Sequence, residues 1–153
     1  MVLTAESAFA PDMTSVTDRD LDSALRGVLD EFDCVAGTVH RAEDETLTLV
    51  AHEGMPGEVV ERVETLPFGK GMGGLAAERR EPVQVCNLQT DESGVAEEGA
   101  RASGLEGTIA VPMLGPDGST KGVLGVGKPG EYEFSADEEE ALLRVGRRIA
   151  ERW

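Results

Sequence analysis

Apolar residues recur at helical spacing near both ends of the chain. Near the N-terminus they fall three or four positions apart on one helical face, formed by Leu21, Leu25, Val28, Leu29 and Phe32. Thr17 or Asp18 precedes this face and suits an N-cap. Near the C-terminus, Ser135 is followed by acidic residues, a combination typical of a helix start. The pattern therefore predicts a first helix after residue 17 and a final helix that runs to the chain end.

Between these helices the apolar pattern changes to short runs bounded by turn residues, which is typical of strands. We predict strands at 34–40, 46–51 and 82–86, and a two-stranded hairpin that turns across residues 115–118. A short helix is predicted after Pro56, because proline suits a first helical turn. Helices at both ends with hairpins between them indicate a mixed α+β domain and not a parallel βαβ array.

The remaining segments carry weaker signals. Residues 1–17 are small, polar and aperiodic, so we expect a leader that is loose or held by a partner, ahead of one domain over 18–153. Residues 95–102 form a weakly helical patch rich in alanine, glutamate and glycine. A length of 153 residues and an apolar share of 40% suit a single globular core.

Composition narrows the cellular context. The chain has no run of eighteen apolar residues, and its N-terminus lacks the basic and apolar regions of a secretory signal. Two cysteines are too few for a disulfide framework, so we expect a cytoplasmic protein. The formal net charge of −16 repels nucleic acid and anionic membranes, and neither is an expected partner. Adaptation to high salt and a GC-rich genome both account for three lysines against eleven arginines.

The residues that could carry chemistry form no convincing catalytic or metal constellation. Residues 69–74 fit G-x-G-x-x-G, but no buried strand precedes them, and Gly71 stands where a Walker A loop needs serine or threonine. We interpret these glycines as allowing tight backbone turns at the lip of a pocket. His40 and His52 are expected as ordinary strand-end histidines, and Cys34 and Cys86 as small buried hydrophobic residues. We therefore predict neither catalytic residues nor a metal site.

Four segments, in this order and spacing, carry a resemblance to a known family: 66–77, 104–113, 121–126 and 134–143. The sequence resembles the GAF domain, a sensory module that binds small molecules, over 18–153. The resemblance implies a central antiparallel sheet of five or six strands with the terminal helices on one face. It also implies a pocket on the other face, bounded by the 69–75 loop and the 86–104 connection.

Residue size refines the expected pocket. Gly125 and Gly127 alternate on one strand and share a face, as Thr108 and Ala110 do across the hairpin. Small residues there leave volume for an apolar or mixed ligand, although the glycines could instead ease strand twist or close packing. The expected ligand-binding residues are Met55, Phe68, Gly71, Met72, Gly73, Leu75, Cys86, Thr108, Ala110, Gly125 and Gly127.

The enzymatic branch of the family is the free methionine-R-sulfoxide reductases, which share the sequence motif Pro67-Phe68-Gly69-x-Gly71. By that resemblance their three cysteines fall near Val63, Gly73 and Arg101, and their substrate-binding acids at Thr108, Gly125 and Gly127; none of these residues matches. The marks of the cyclic-nucleotide, bilin and haem subfamilies are also missing, and the cofactor stays unknown. We expect a non-enzymatic sensory domain. The alternative is an interaction module whose pocket is vestigial.

The final helix also suggests self-association. Its apolar stripe is wider than one contact requires and consists of Leu142, Leu143, Val145, Ile149, Ala150 and Trp153. A tryptophan at the last position suits the edge of an interface. Because GAF domains often pair through such helices, we expect a homodimer formed by the terminal helices, with repulsion between two acidic subunits opposing it at low salt.

Overall fold

The computed structural model describes residues 18–91, 102–151 and 153, so the predicted leader and nearly all of the weakly helical patch lie outside the described residues. The helices are α1 (Asp18–Phe32), α2 (Gly57–Val63), α3 (Gly71–Arg79) and α4 (Ala136–Ala150). The strands are β1 (Ala36–Glu43), β2 (Thr46–Glu53), β3 (Thr65–Pro67), β4 (Val83–Val85), β5 (Thr108–Leu114) and β6 (Thr120–Gly127). Within these ranges, no helix has the length and apolar character needed to cross a membrane.

The strands form one six-stranded sheet in the order β3-β2-β1-β6-β5-β4, with every neighbouring pair antiparallel. The first hairpin turns at Asp44 and Glu45, whose φ angles of 52° and 62° place both in the left-handed region. Such turns match the twist of antiparallel strands. The second hairpin turns across 115–118, as predicted. The predicted α+β class and antiparallel sheet are confirmed.

Two differences from the predicted strands have local causes. The first strand begins at Ala36 and not at Cys34, because Asp33 takes a left-handed φ of 58° and the Cys34 N–H donates to the Leu29 carbonyl, 2.9 Å away. These residues therefore close α1. Strand β3 was not predicted. It has three residues, lies at a sheet edge and is largely exposed, so it carries no readable alternation.

The terminal helices α1 and α4 cover one side of the sheet, which we call the helix face. All five apolar residues of the predicted α1 stripe are buried there, against strand residues such as Val39, Ile109 and Leu124. Helix α4 starts with a capping box. The Glu138 N–H donates to Ser135 Oγ (3.1 Å), and the Ser135 N–H donates to Glu138 Oε1 (2.8 Å). The predicted serine cap is confirmed.

The wide apolar stripe of α4 is taken up largely by this sheet. Leu142, Val145, Ile149 and Ala150 are buried in the helix-face core. Trp153 is partly buried and packs so closely over Gly122 of β6 that a Cβ there would lie 2.9 Å from the indole ring. The Arg41 guanidinium lies 5.4 Å from the centre of the same ring. The predicted homodimer therefore has fewer apolar residues to draw on than the sequence indicates.

Candidate functional site

The opposite side of the sheet, which we call the cavity face, borders a cavity of about 400 Å³. Ligand sites in proteins commonly have volumes of roughly 300–1,000 Å³. Helix α2 and the N-terminal turn of α3 lie across this face, and the segments around Leu88 and Leu105 close one side. The sheet therefore supplies the floor of a ligand-sized space, and short elements supply its roof.

The floor is open because its central residues are small. Thr38 on β1, Gly125 on β6 and Ala110 on β5 lie side by side in register across three strands. A Cβ built on Gly125 would lie 3.1 Å from Thr38 Oγ1 and nearly 4 Å or more from other atoms. Larger side chains along this row would occupy the volume that the cavity now has.

The roof begins at a loop that needs glycine. Gly69 and Gly71 have φ angles of 87° and 73°, in the left-handed region that glycine adopts without strain. Gly74 packs against the Pro67 carbonyl oxygen, which would lie 2.5 Å from a Cβ at that position. The glycine-rich loop thus holds the start of α3 close to the sheet, as the sequence predicts for a pocket lip.

Eight of the eleven predicted ligand-binding residues line this cavity: Met55, Gly71, Met72, Gly73, Thr108, Ala110, Gly125 and Gly127. The other three do not. Phe68 and Leu75 pack against an apolar cluster beside the cavity, around Leu47 and Ala76. Cys86 follows the last residue of β4 and is exposed, so the prediction that its side chain is buried is wrong. Cys34 is buried, as predicted.

The prediction missed several lining residues, of which His40 is the most informative. His40 and Thr38 lie on either side of Val39, whose side chain is in the helix-face core, so both line the cavity. This alternation is readable in the sequence, so the expectation of an ordinary strand-end histidine is wrong for His40. Val59, Arg62 and other roof residues come from segments without regular alternation.

His40 is only 3% exposed, and its Nε2 lies 2.7 Å from the Val63 carbonyl oxygen. A carbonyl only accepts, so Nε2 carries a proton and donates it. Burial lowers the pKa of His40 below its ordinary value of 6.5, although the hydrogen bond to Val63 acts in the opposite direction. The ring is therefore neutral near pH 7, and its Nδ1 is an acceptor.

Thr108 is the second buried polar residue of the cavity, at 7% exposure. Its hydroxyl donates to the Met72 sulfur at 3.4 Å, and a thioether is a weak acceptor. Across the described ranges, His40 and Thr108 are the two polar residues that are buried, and both line the cavity. The polar groups withdrawn from water in this part of the molecule are thus gathered at one site.

The cavity walls offer little for acid–base or nucleophilic chemistry. No Asp, Glu or Cys is among the described residues that line it, and the one full cation is the exposed Arg62. Cys34 lies on the helix-face side, where burial raises the pKa of its thiol to about 11, with nearby Lys128 opposing the rise. In residues 18–91, 102–151 and 153 no three His, Cys, Asp or Glu side chains are placed to hold a metal ion.

Known structures share this fold at low sequence identity. The GAF domain of a phosphoenolpyruvate-protein phosphotransferase from Acinetobacter is 20% identical with a TM-score of 0.76, over 97% of this chain and 89% of that one. The GAF domain of the same protein from Coxiella burnetii is 20% identical with a TM-score of 0.76, over 98% of this chain and 87% of that one. A free methionine-R-sulfoxide reductase from Neisseria meningitidis, solved with its substrate, is 21% identical with a TM-score of 0.75, over 97% of this chain and 83% of that one. At such identity these likenesses concern the fold alone.

Sequence comparison supplies the family. A comparison with curated proteins finds no match. The family model described as "GAF domain" matches residues 17–151, nearly the whole chain. GAF domains are sensory and regulatory modules, and the sheet order, covering helices and cavity described above agree with that assignment. The chain belongs to the GAF domain family.

Proposed function

We propose that this chain is a non-enzymatic sensory or regulatory domain of the cytoplasm that binds a small molecule in the cavity. The observation that carries the proposal is the cavity itself. Its volume of about 400 Å³ is bounded mainly by apolar side chains, with two buried polar residues among them. Such a mixture, in which a few polar groups orient a largely apolar ligand, is typical of small-molecule sites.

The walls support a binding role over the reductase role found elsewhere in the family. Positions that the reductase resemblance assigns to cysteines are held by Val63 and Gly73, and both line the cavity. The third, Arg101, lies outside the described residues. Reduction of a sulfoxide by a protein thiol needs a thiolate within reach of the sulfur. Exposed Cys86 does not line the cavity, and the raised pKa of Cys34 disfavours its thiolate.

The competing hypothesis is an interaction module whose pocket is vestigial. A vestigial pocket would be expected to fill with larger side chains, because cavities destabilise a fold. The row formed by Thr38, Gly125 and Ala110 keeps the space open. Among the described residues, the one large apolar side chain that is exposed is Val35 (53%), and this gives the terminal helices little surface for a partner. These observations favour the ligand-binding hypothesis.

The proposal is tested by a thermal-shift screen against a metabolite library, with native mass spectrometry of freshly purified protein. A ligand of the native state at a hundred times its dissociation constant stabilises the fold by about 2.7 kcal/mol. Gly125→Leu should abolish the shift, because the new side chain enters the cavity floor. Gly130→Leu is the matched control, since a Cβ there meets no atom within 4 Å. A screen without any stabilising molecule, and no bound mass, would contradict the proposal.

A further inference from the structure

Both buried polar residues of the cavity have hydrogen-bonding capacity that the described protein leaves unused. His40 donates through Nε2 to Val63, while its Nδ1 lone pair has no hydrogen-bond partner among the described residues. Thr108 gives its hydroxyl proton to the Met72 sulfur alone. A buried acceptor without a donor costs free energy, and a hydrogen bond to a thioether sulfur stabilises a buried donor only weakly. A cavity occupant that supplies one donor and one good acceptor would satisfy both.

Strand register fixes how far apart these two groups lie. His40 on β1 is opposite Val123 of β6, and Thr108 on β5 is opposite Gly127 of β6. Four residues along a strand and two strand spacings across the sheet put their Cα atoms roughly 16 Å apart, at about 3.3 Å per residue and about 4.8 Å between strands. Gly125 lies between them on the floor. The space between the two polar groups is therefore long, and small residues floor it, with the Thr38 hydroxyl beside Gly125.

The charges at the wall select against ionic ligands. Although the chain carries 30 acidic residues, none is among the described residues that line the cavity, so these residues offer a bound cation no counter-ion. Among the described lining residues a bound anion would meet one cation, Arg62, whose exposed guanidinium is screened by solvent, and the net charge of −16 opposes its approach. A neutral molecule avoids both costs.

We propose that the cavity takes an uncharged, elongated, mainly apolar ring molecule that donates a hydrogen bond to His40 Nδ1 at one end and accepts one from Thr108 Oγ1 at the other. The apolar rings lie over Gly125, where the small floor residues give a flat molecule its room. Both hydrogen bonds form in a site withdrawn from water, so each discriminates strongly between ligands that offer the group and ligands that lack it. This inference rests on the proposed function and names the ligand class of that same site.

Three naphthalenes of nearly one shape test the ligand class by isothermal titration calorimetry. 6-Methoxy-2-naphthol donates at one end and accepts at the other, 2,6-dimethoxynaphthalene cannot donate, and 6-hydroxy-2-naphthoate carries a charge. We expect 6-methoxy-2-naphthol to bind about tenfold or more tightly than 2,6-dimethoxynaphthalene, because the latter leaves His40 Nδ1 without a donor. The naphthoate should also bind more weakly. Equal affinities for the first two compounds would overturn the His40 contact, and tighter binding of the naphthoate would overturn the uncharged class.

Imidazole nitrogen NMR locates the donor's contact without altering the fold. The chain has two histidines, His40 in the cavity and the exposed His52, so His52→Gln assigns the signals. We expect 6-methoxy-2-naphthol to shift the Nδ1 resonance of His40 and 2,6-dimethoxynaphthalene to leave it near its unliganded position. An unchanged Nδ1 resonance at saturation means that water alone meets this nitrogen, and it overturns the proposal.

Thr108→Val tests the other end, since valine keeps the branched shape and removes the hydroxyl. The variant should fold, because the lost hydrogen bond is only the weak one to Met72. Binding of 6-methoxy-2-naphthol should weaken by about five- to tenfold, while that of 2-naphthol, which lacks the far acceptor, should change less than twofold. Equal losses for both would remove Thr108 as an anchor. If none of these naphthalenes binds but the metabolite screen finds a ligand blocked by Gly125→Leu, this inference fails and the proposed function stands.

Discussion

The helix face and the cavity face are built from alternate residues of the same strands, yet they are packed in opposite ways. On β6, Leu124 belongs to the helix-face core, while its neighbour Gly125 lines the cavity floor. On β5, Ile109 and Ala110 divide in the same manner. One face is filled by α1 and α4, and the other keeps about 400 Å³ open beneath short helices. A single alternation thus separates the residues that stabilise the fold from those that shape the site.

This division suggests that the two faces can be changed independently. Burial of apolar area is the main source of stability, at roughly 25 cal/mol per Å². Nearly all of the large, fully buried apolar side chains of the terminal helices and central strands contribute to the helix face. The cavity face buries less apolar area, and its glycines weaken β6 locally. Substitutions on the first face should change stability without binding, and substitutions on the second should change binding without much stability.

The largest expected effect comes from Leu124→Ala. Leu124 is 1% exposed at the centre of the helix face, and truncation of such leucines lowers the free energy of unfolding by about 2–5 kcal/mol. Urea denaturation measures this loss. Affinity for any cavity ligand, measured where the variant is fully folded, should stay within about twofold of the wild-type value, because Leu124 is not among the residues that line the cavity. A large loss of affinity would show that the faces are coupled.

The next effect compares the same added methyl group on the two faces of one strand. A Cβ at Gly122 would overlap the backbone carbonyl of His40 and meet Trp153, so Gly122→Ala should destabilise by about 1–3 kcal/mol, as overpacking does. A Cβ at Gly125 meets mainly the Thr38 hydroxyl, which can move into the cavity. Gly125→Ala should therefore cost less than about 1 kcal/mol in urea denaturation. Equal costs would contradict the difference in packing.

The sequence predicted the helix face better than the roof of the cavity. The α1 stripe, the Ser135 cap and the turn of the second hairpin depend on neighbours close in the chain, and their patterns are readable. Strand alternation also placed Thr108, Ala110, Gly125 and Gly127 on the cavity. Leu88, Leu105 and Val59 reach it through the path of loops and a short helix, which no local pattern encodes. The role of His40 depends on Val63, 23 residues away.

A smaller effect is expected from pH, through His40, the one titratable residue that is buried on the cavity face among the described residues. Burial lowers the pKa of His40, so between 6.5 and the lower folded value the unfolded chain binds a proton that the folded chain does not. The free energy of unfolding should be fully retained above pH 6.5 and should fall as the pH drops below it. His40→Gln keeps a donor for Val63 and should remove this slope. Identical pH profiles for the two proteins would contradict the buried neutral histidine.

The smallest expected change in stability is at Trp153, where the helix face reaches the end of the described chain. Trp153→Glu removes the packing over Gly122 and the contact with Arg41, and should cost about 1 kcal/mol or less, since Trp153 is only partly buried. The same variant tests whether the homodimer predicted from the α4 stripe forms. Leu143 and Trp153 are the partly buried residues left to form such an interface. If the dimer forms, light scattering at moderate salt should give twice the chain mass for wild type and a single chain for Trp153→Glu. A single-chain mass for both proteins at tens of micromolar would mean that the wide apolar stripe of α4 packs only against its own sheet.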